Sequence, residues 1–300
     1  MKTSLHRIYT EDGLELHGVL YAPDAGTKKV LVHVHGMGGN FYENKYPDAL
    51  AKTLTDAGFA FCTFNNRGTE MIKETYRVAE DGSQEIVRVG TAYEKFADSV
   101  LDIDASFDFA QKQGFEEIHL SGHSLGAPKA AYYLAKRSDA SIRSVLFLSP
   151  ADMLGLVRAD TKRFEQDIAE ATQMASEGRG EDLLPRWVWG EYPISARTYL
   201  DLFADDSEAA IFNFYNPNDP LELLGKIRIP AFAVMGRKDD ALVIPIEDTF
   251  NRLEQALTAS PKVETRILGD ADHGYRGDEQ ALADVVRAWL VSAPTQGAAN

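Results

Sequence analysis

Apolar runs that recur with helical stretches between them constrain this chain more than any other feature. The continuous run Val30-Leu31-Val32-His33-Val34 suits a strand covered on both faces, because neither side of it has to meet water. Strands are expected at 14–21 and 28–34, with Pro23-Asp24-Ala25-Gly26 turning the chain between them. Further strands are expected near 59–64, 117–121, 144–148, 230–235 and 263–268. The segments between carry helical period. From Tyr93 to Lys112, for instance, Phe96, Val100, Ile103 and Phe107 recur at three- and four-residue steps and leave Asp98, Asp102 and Asp108 to face outward. Strands alternating with helices predict an α/β fold on a mostly parallel twisted sheet.

Two stretches break that rhythm. Residues 68–92 are polar and charged, and residues 151–215 hold helical fragments with no clear parallel strand. The second is expected to be an insertion over the sheet, leaving 1–150 and 216–300 as the core domain. Among its aromatic residues, Trp187, Trp189, Tyr192, Tyr199, Phe203, Phe212, Phe214 and Tyr215, most should pack the insertion onto the main body and a few should line an apolar pocket. With 300 residues, 44% of them hydrophobic, the chain can bury one large core. Its formal net charge of -15 opposes nucleic acid or an anionic membrane as the main partner and favours a small neutral or cationic molecule. Cys62 is the single cysteine, so no intramolecular disulfide can form, and its place in Phe59-Ala60-Phe61-Cys62-Thr63-Phe64 predicts a buried core residue. The segment Met1 to Arg7 has no secretory pattern, and no run approaches the roughly 18 apolar residues of a membrane span. A soluble, cytoplasmic protein with a frayed tail at Pro294–Asn300 is the expectation.

The chemistry concentrates in four short segments. Gly122-His123-Ser124-Leu125-Gly126 follows the apolar strand 117–121 and precedes the small-residue helix Ala127 to Lys136. A serine on so tight a strand-to-helix turn presents its hydroxyl clear of the sheet, with backbone donors beside it at a helix N-terminus. His35-Gly36-Met37-Gly38-Gly39 follows the strand at 30–34. Paired with the serine turn, it reads as an oxyanion hole whose donors are the Met37 and Leu125 amides. A hydroxyl needs a base, and among the 7 histidines His273 stands in a loop at a strand's C-terminal end. The acid should lie between nucleophile and base: Asp239 and Asp240 after the strand at 230–235 are the candidates, with Asp219 behind them. His33, His35 and His123 read as structural, and no metal or cofactor is called for.

The segments HGMGG, GHSLG, GRKDD and DADHG stand in the order oxyanion loop, nucleophile, acid, base. In this the chain resembles the α/β-hydrolase superfamily, in its serine esterase-like branch, from about residue 14 to 291, with the insertion 151–215 where that family carries its lid. The resemblance implies a triad of Ser124, Asp239 and His273, Asp239 being selected by the Gly-x-x-Asp spacing from Gly236, with Met37 and Leu125 as oxyanion donors. Asn65-Asn66-Arg67-Gly68-Thr69-Glu70 departs from the D-x-R-G-x-G pattern of many esterases and lipases. With Tyr93 to Asp98 and the polar stretch between, it is similar to a branch containing siderophore-type ester hydrolases. The implied activity is hydrolysis of a carboxylic ester of a small molecule through an acyl-enzyme. Thioesterase, amidase or acyltransferase chemistry on the same triad, and a non-catalytic ligand-binding protein, are the alternatives. Serine at the elbow disfavours the Asp or Cys chemistry of dehalogenases, epoxide hydrolases and dienelactone hydrolases.

Overall fold

The structure, a computed structural model, describes residues 1–137 and 141–292, so the tail Pro294–Asn300 lies outside the described residues. The elements run β1 (Lys2–Tyr9), β2 (Glu15–Ala22), β3 (Lys29–Val34), α1 (Tyr46–Asp56), β4 (Ala60–Phe64), β5 (Lys73–Val78), β6 (Gln84–Val89), α2 (Ser99–Lys112), β7 (Glu117–His123), α3 (Gly126–Lys136) and β8 (Ile142–Leu148). They continue through α4 (Met153–Arg158), α5 (Thr161–Ser176), α6 (Ala196–Phe203), β9 (Ala231–Met235), α7 (Ile246–Ala256), β10 (Val263–Ile267) and α8 (Glu279–Ser292). An 8-stranded sheet has the order β1-β2-β4-β3-β7-β8-β9-β10. From β4 to β10 every neighbouring pair is parallel, while β2 runs antiparallel to both β1 and β4.

Strand residues alternate between two apolar layers, as the two-residue period of a strand requires. Leu31, Phe61, Leu146, Leu148, Phe232 and Val234 pack with Leu50, Leu54, Leu282, Val286 and Trp289 of α1 and α8. Val30, Val32, Cys62, Leu120, Phe147 and Ala233 face the other way, toward α2, α3 and α7. Cys62 is fully buried, and burial pushes its thiol pKa up.

The strands expected from apolar runs are present, and three others are not anticipated by those runs. β1 is an edge strand exposed along most of its length, and β5 and β6 form an antiparallel hairpin inside the polar stretch 68–92. Neither carries the apolar run that a covered strand needs. The helix expected from Tyr93 begins at Ser99, after a 3-10 turn over Phe96–Asp98. Asp102, expected to face outward, is buried: Arg67 Nε and Nη2 donate to its Oδ1 at 3.0 and 2.9 Å, and the Arg67 amide donates to Oδ2 at 2.8 Å. A buried carboxylate is tolerated when a guanidinium and an amide satisfy it, and helical periodicity carries no sign of that partner.

Among the described residues, 151–215 adds no strand to the sheet and carries α4, α5 and α6. Tyr199, Leu202, Phe203 and Phe212 from this stretch are buried in the same apolar layer as Val32 and Phe147. Its two ends meet on one carboxylate: Asp152 accepts from the Gly155 amide at 2.7 Å, capping α4, and from the Tyr215 amide at 2.7 Å. No described helix is long and apolar enough to cross a membrane.

Candidate active site

The C-terminal ends of β3, β7, β9 and β10 bring the four motif segments to one rim of the sheet, where open α/β sheets carry their sites. Ser124 directly follows β7 with φ 54°, a left-handed conformation that costs a non-glycine residue on the order of 1–3 kcal/mol. The turn around it admits no extra atoms. A Cβ on Gly126 would stand 2.2 Å from the Val34 carbonyl oxygen, and one on Gly36 would stand 2.7 Å from Ser124 Cβ, so the absence of side chains lets the loop after β3 lie directly on the serine turn. Among the described residues neither the Met37 nor the Leu125 amide donates a hydrogen bond.

The loops after β9 and β10 are zipped together by two backbone bonds, Arg237 N–H to the Gly269 carbonyl at 3.0 Å and Lys238 N–H to the Ala271 carbonyl at 3.2 Å. This register brings His273 to Asp239. Its Nδ1 lies 2.8 Å from Asp239 Oδ1, and the same oxygen accepts from the Ala241 amide at 2.9 Å. Asp239 is buried and the His273 side chain is 25% exposed, so the pair is open toward one side. Burial acts to raise the Asp239 pKa, but the hydrogen bond and charge of His273, together with Ser149 and the Ala241 amide, outweigh it and leave the carboxyl below its ordinary value. Burial acts to lower the His273 pKa; the Asp239 hydrogen bond and the charges of Asp239, Asp240 and Asp272 outweigh it, and the imidazole ends above its ordinary value.

Ser124, His273, Gly36 and Met37 line one cavity of about 540 Å³, a size ordinary for small-molecule sites. The stretch 151–215 supplies Met153, Leu156, Trp189 and Tyr192 to its wall. No hydrogen bond joins Ser124 Oγ to the His273 ring in this conformation. Bonds of this kind commonly tighten only when substrate is bound. Of the other acid candidates, Asp240 is exposed at the cavity, whereas Asp219 is engaged elsewhere, accepting from Asn213 Nδ2 at 2.7 Å and from the Leu221 amide at 2.8 Å. Among the described residues, Asp239, Asp240 and His273 form one group close enough to suggest a metal ion. The 2.8 Å between Nδ1 and Oδ1 is a hydrogen-bond length.

The histidines read as structural differ in what they touch. His33 bridges Ser121 Oγ at 2.9 Å and Tyr46 Oη at 3.0 Å inside the core. His35 lies under the glycine loop: Nδ1–H donates to the Gly36 carbonyl at 2.8 Å and Nε2 accepts from the Asn66 amide at 3.0 Å. Burial lowers its pKa to about 3, which keeps that neutral tautomer. Two residues outside the four motif segments support the same loop from behind. Lys129 Nζ and Glu94 Oε2, both fully buried, pair at 2.5 Å, and Nζ reaches Asn66 Oδ1 at 3.5 Å. Asn66 thus connects this ion pair to His35. Their pairing is tertiary, from α3 to the loop before α2, and no spacing in the chain encodes it.

This rim, with its serine turn and its Asp–His pair after successive parallel strands, is the architecture of an α/β hydrolase. The family model described as alpha/beta hydrolase fold matches residues 29–274, and the chain belongs to that family. It is 22% identical over 285 residues to a non-heme chloroperoxidase of Kitasatospora aureofaciens, spanning 88% of this chain and 90% of that one. Among solved structures it is similar to siderophore hydrolase EstB from Aspergillus fumigatus, with a TM-score of 0.70 and 18% identity over 98% of each chain. It is similar also to Est1E from Butyrivibrio proteoclasticus with ferulic acid bound, with a TM-score of 0.66 and 18% identity over 95% of this chain and 98% of that one.

Proposed function

We propose that the chain hydrolyses a carboxylic ester through an acyl-enzyme on Ser124. The observation that carries this reading is that Ser124, on its left-handed turn, opens into the same cavity as His273, whose Nδ1 is held at 2.8 Å by the buried carboxylate of Asp239. Asp239 fixes the tautomer that leaves Nε2 free to take a proton. Ser124 Oγ attacks the carbonyl carbon while its proton passes to His273 Nε2, and the oxyanion forms against the Met37 and Leu125 amides. Each such donor is worth about 3–4 kcal/mol of transition-state stabilisation. Collapse breaks the ester C–O bond, and the alcohol leaves with the proton from His273. Water, deprotonated by the same imidazole, then attacks the acyl carbon and releases the acid and the free serine. Residues 151–215 act as the lid that completes the cavity wall.

The likeness to Est1E with ferulic acid and to a siderophore hydrolase favours esters over other acyl compounds, and the second agrees with the similarity read in Asn65 to Glu70. Purified Ser124→Ala and His273→Ala proteins are expected to lose about 10³-fold or more of the parent's kcat on a p-nitrophenyl ester. Hydrolysis by either at the parent's rate would refute the mechanism.

A further inference from the structure

His123, the residue before the nucleophile, makes a contact that a merely space-filling histidine would not need. Its ring is buried among Tyr46, His273 and Tyr275, with centroid separations of 5.1, 4.9 and 5.9 Å. Its Nε2 lies 2.7 Å from the backbone carbonyl oxygen of His273. A carbonyl only accepts, so the proton sits on Nε2 and His123 donates. Burial, with the adjacent His273, lowers the His123 pKa to about 3, so this ring stays neutral while His273 gains and loses its proton. It holds one proton, commits it to the carbonyl, and does not compete for the proton of Ser124.

Tyr275 holds the same loop from its other side. Its hydroxyl donates to the Val234 carbonyl at 2.9 Å and accepts from Ser149 Oγ at 2.8 Å, and its backbone is left-handed at φ 56°. That bond ties the loop to β9, the strand that leads to Asp239, whereas the His123 bond ties it to the nucleophile turn. Since His123 and Ser124 are consecutive, one hydrogen bond links the backbone that carries the nucleophile to the backbone that carries the base.

We infer that His123 is a positioning residue for the hydrolase proposed above: its Nε2–H sets the register of the His273 imidazole against the Ser124 hydroxyl. The inference rests on that reading for its catalytic meaning. Its geometry can be tested separately. Glutamine places an amide N–H near the position of Nε2, asparagine places one near Nδ1, and phenylalanine keeps the ring packing without a donor. His123→Gln is expected to keep kcat within about threefold of the parent, whereas His123→Asn and His123→Phe lose about 10²-fold in kcat with little change in KM, the scale of a displacement near 1 Å. The pH at half-maximal kcat/KM should move in the Asn and Phe variants and stay in the Gln variant. The His273 titration is followed by NMR in the same proteins and in Ser124→Ala, and should show the same ranking without turnover. Equal activity and equal His273 titration in parent and Phe variant would overturn the inference, as would a Gln variant no better than Phe. A parent that lacks Ser124-dependent hydrolysis while the NMR ranking holds would instead sink the proposed function alone.

Discussion

Asp239 and Asp240 are consecutive in the chain, yet they meet different surroundings. Asp239 is buried and bonded to the His273 ring and the Ala241 amide, while Asp240 is exposed beside the same cavity. Both charges nevertheless act on His273, whose pKa they help hold above its ordinary value against burial. A base works only when deprotonated, so on the mechanism proposed above activity should rise with pH through an apparent pKa above the usual value of about 6.5. Asp240→Asn removes one of the charges that favour the protonated ring without touching the Nδ1 bond. The acid limb of the kcat/KM profile is therefore expected to move to lower pH, with the plateau rate retained within about threefold. An unmoved limb would show that Asp240 is screened from the imidazole, and a collapsed plateau would make Asp240 rather than Asp239 the orienting acid. Of the residues gathered at this cavity, those with local signatures in the chain are a serine between glycines after an apolar run and a histidine and an acid in late loops. His35, His123, Lys129 and Glu94 are legible only as residue types, because what they do depends on partners that the fold brings from distant strands and helices.

At the scale of elements, the two ends of 151–215 meet on a single carboxylate. Asp152 caps α4 and also takes the amide of Tyr215, and burial raises its pKa to about 6. An acid whose folded pKa lies above its unfolded one binds more protons when folded. Its contribution to stability therefore grows as pH falls through about 6 toward the ordinary value near 4, and shrinks as pH rises through that window. Asp152→Asn removes the charge but turns one of the two acceptor oxygens, Oδ1 for Gly155 or Oδ2 for Tyr215, into a donor, so the variant should lose this pH dependence and lie about 1–3 kcal/mol below the parent at pH 8. Asp152→Ala leaves buried amides unpaired and should cost about 1–3 kcal/mol. Urea unfolding at pH 5 and pH 8 checks this; an Asn variant that keeps the parent's change in stability between the two pH values would show that another group is responsible for it. The elements that sequence patterning finds are the strands covered on both faces, where every residue is apolar for a physical reason. β1, with KTSLHRIY exposed at most positions, and the β5–β6 hairpin are held by backbone ladders that leave little trace in hydropathy. Asp102 inside α2 misleads in the same way: its buried state comes from Arg67, thirty-five positions earlier.

For the whole molecule, the question is whether residues 151–215 form a unit of their own. Tyr199, Leu202, Phe203, Phe212 and Phe214 are buried in the same apolar layer as Val32, Ile118 and Phe147 of the sheet, and Phe147 and Phe212 meet edge to face with centroids 5.2 Å apart. A fully buried large apolar side chain contributes about 1.5–3 kcal/mol. Stripping such a group away together removes an amount on the order of the entire folding free energy of a domain, about 5–15 kcal/mol. The insertion should therefore melt with the sheet and not before it. Differential scanning calorimetry is expected to show one transition whose calorimetric and van't Hoff enthalpies agree. A version lacking 151–215 is expected to fail to fold rather than to give an open, faster enzyme. Two resolved transitions, or a folded deletion variant that still hydrolyses the ester, would make the insertion an independent cap. The wall that Met153, Leu156, Trp189 and Tyr192 give the cavity would then be a removable cover rather than part of the core that holds Ser124 in place.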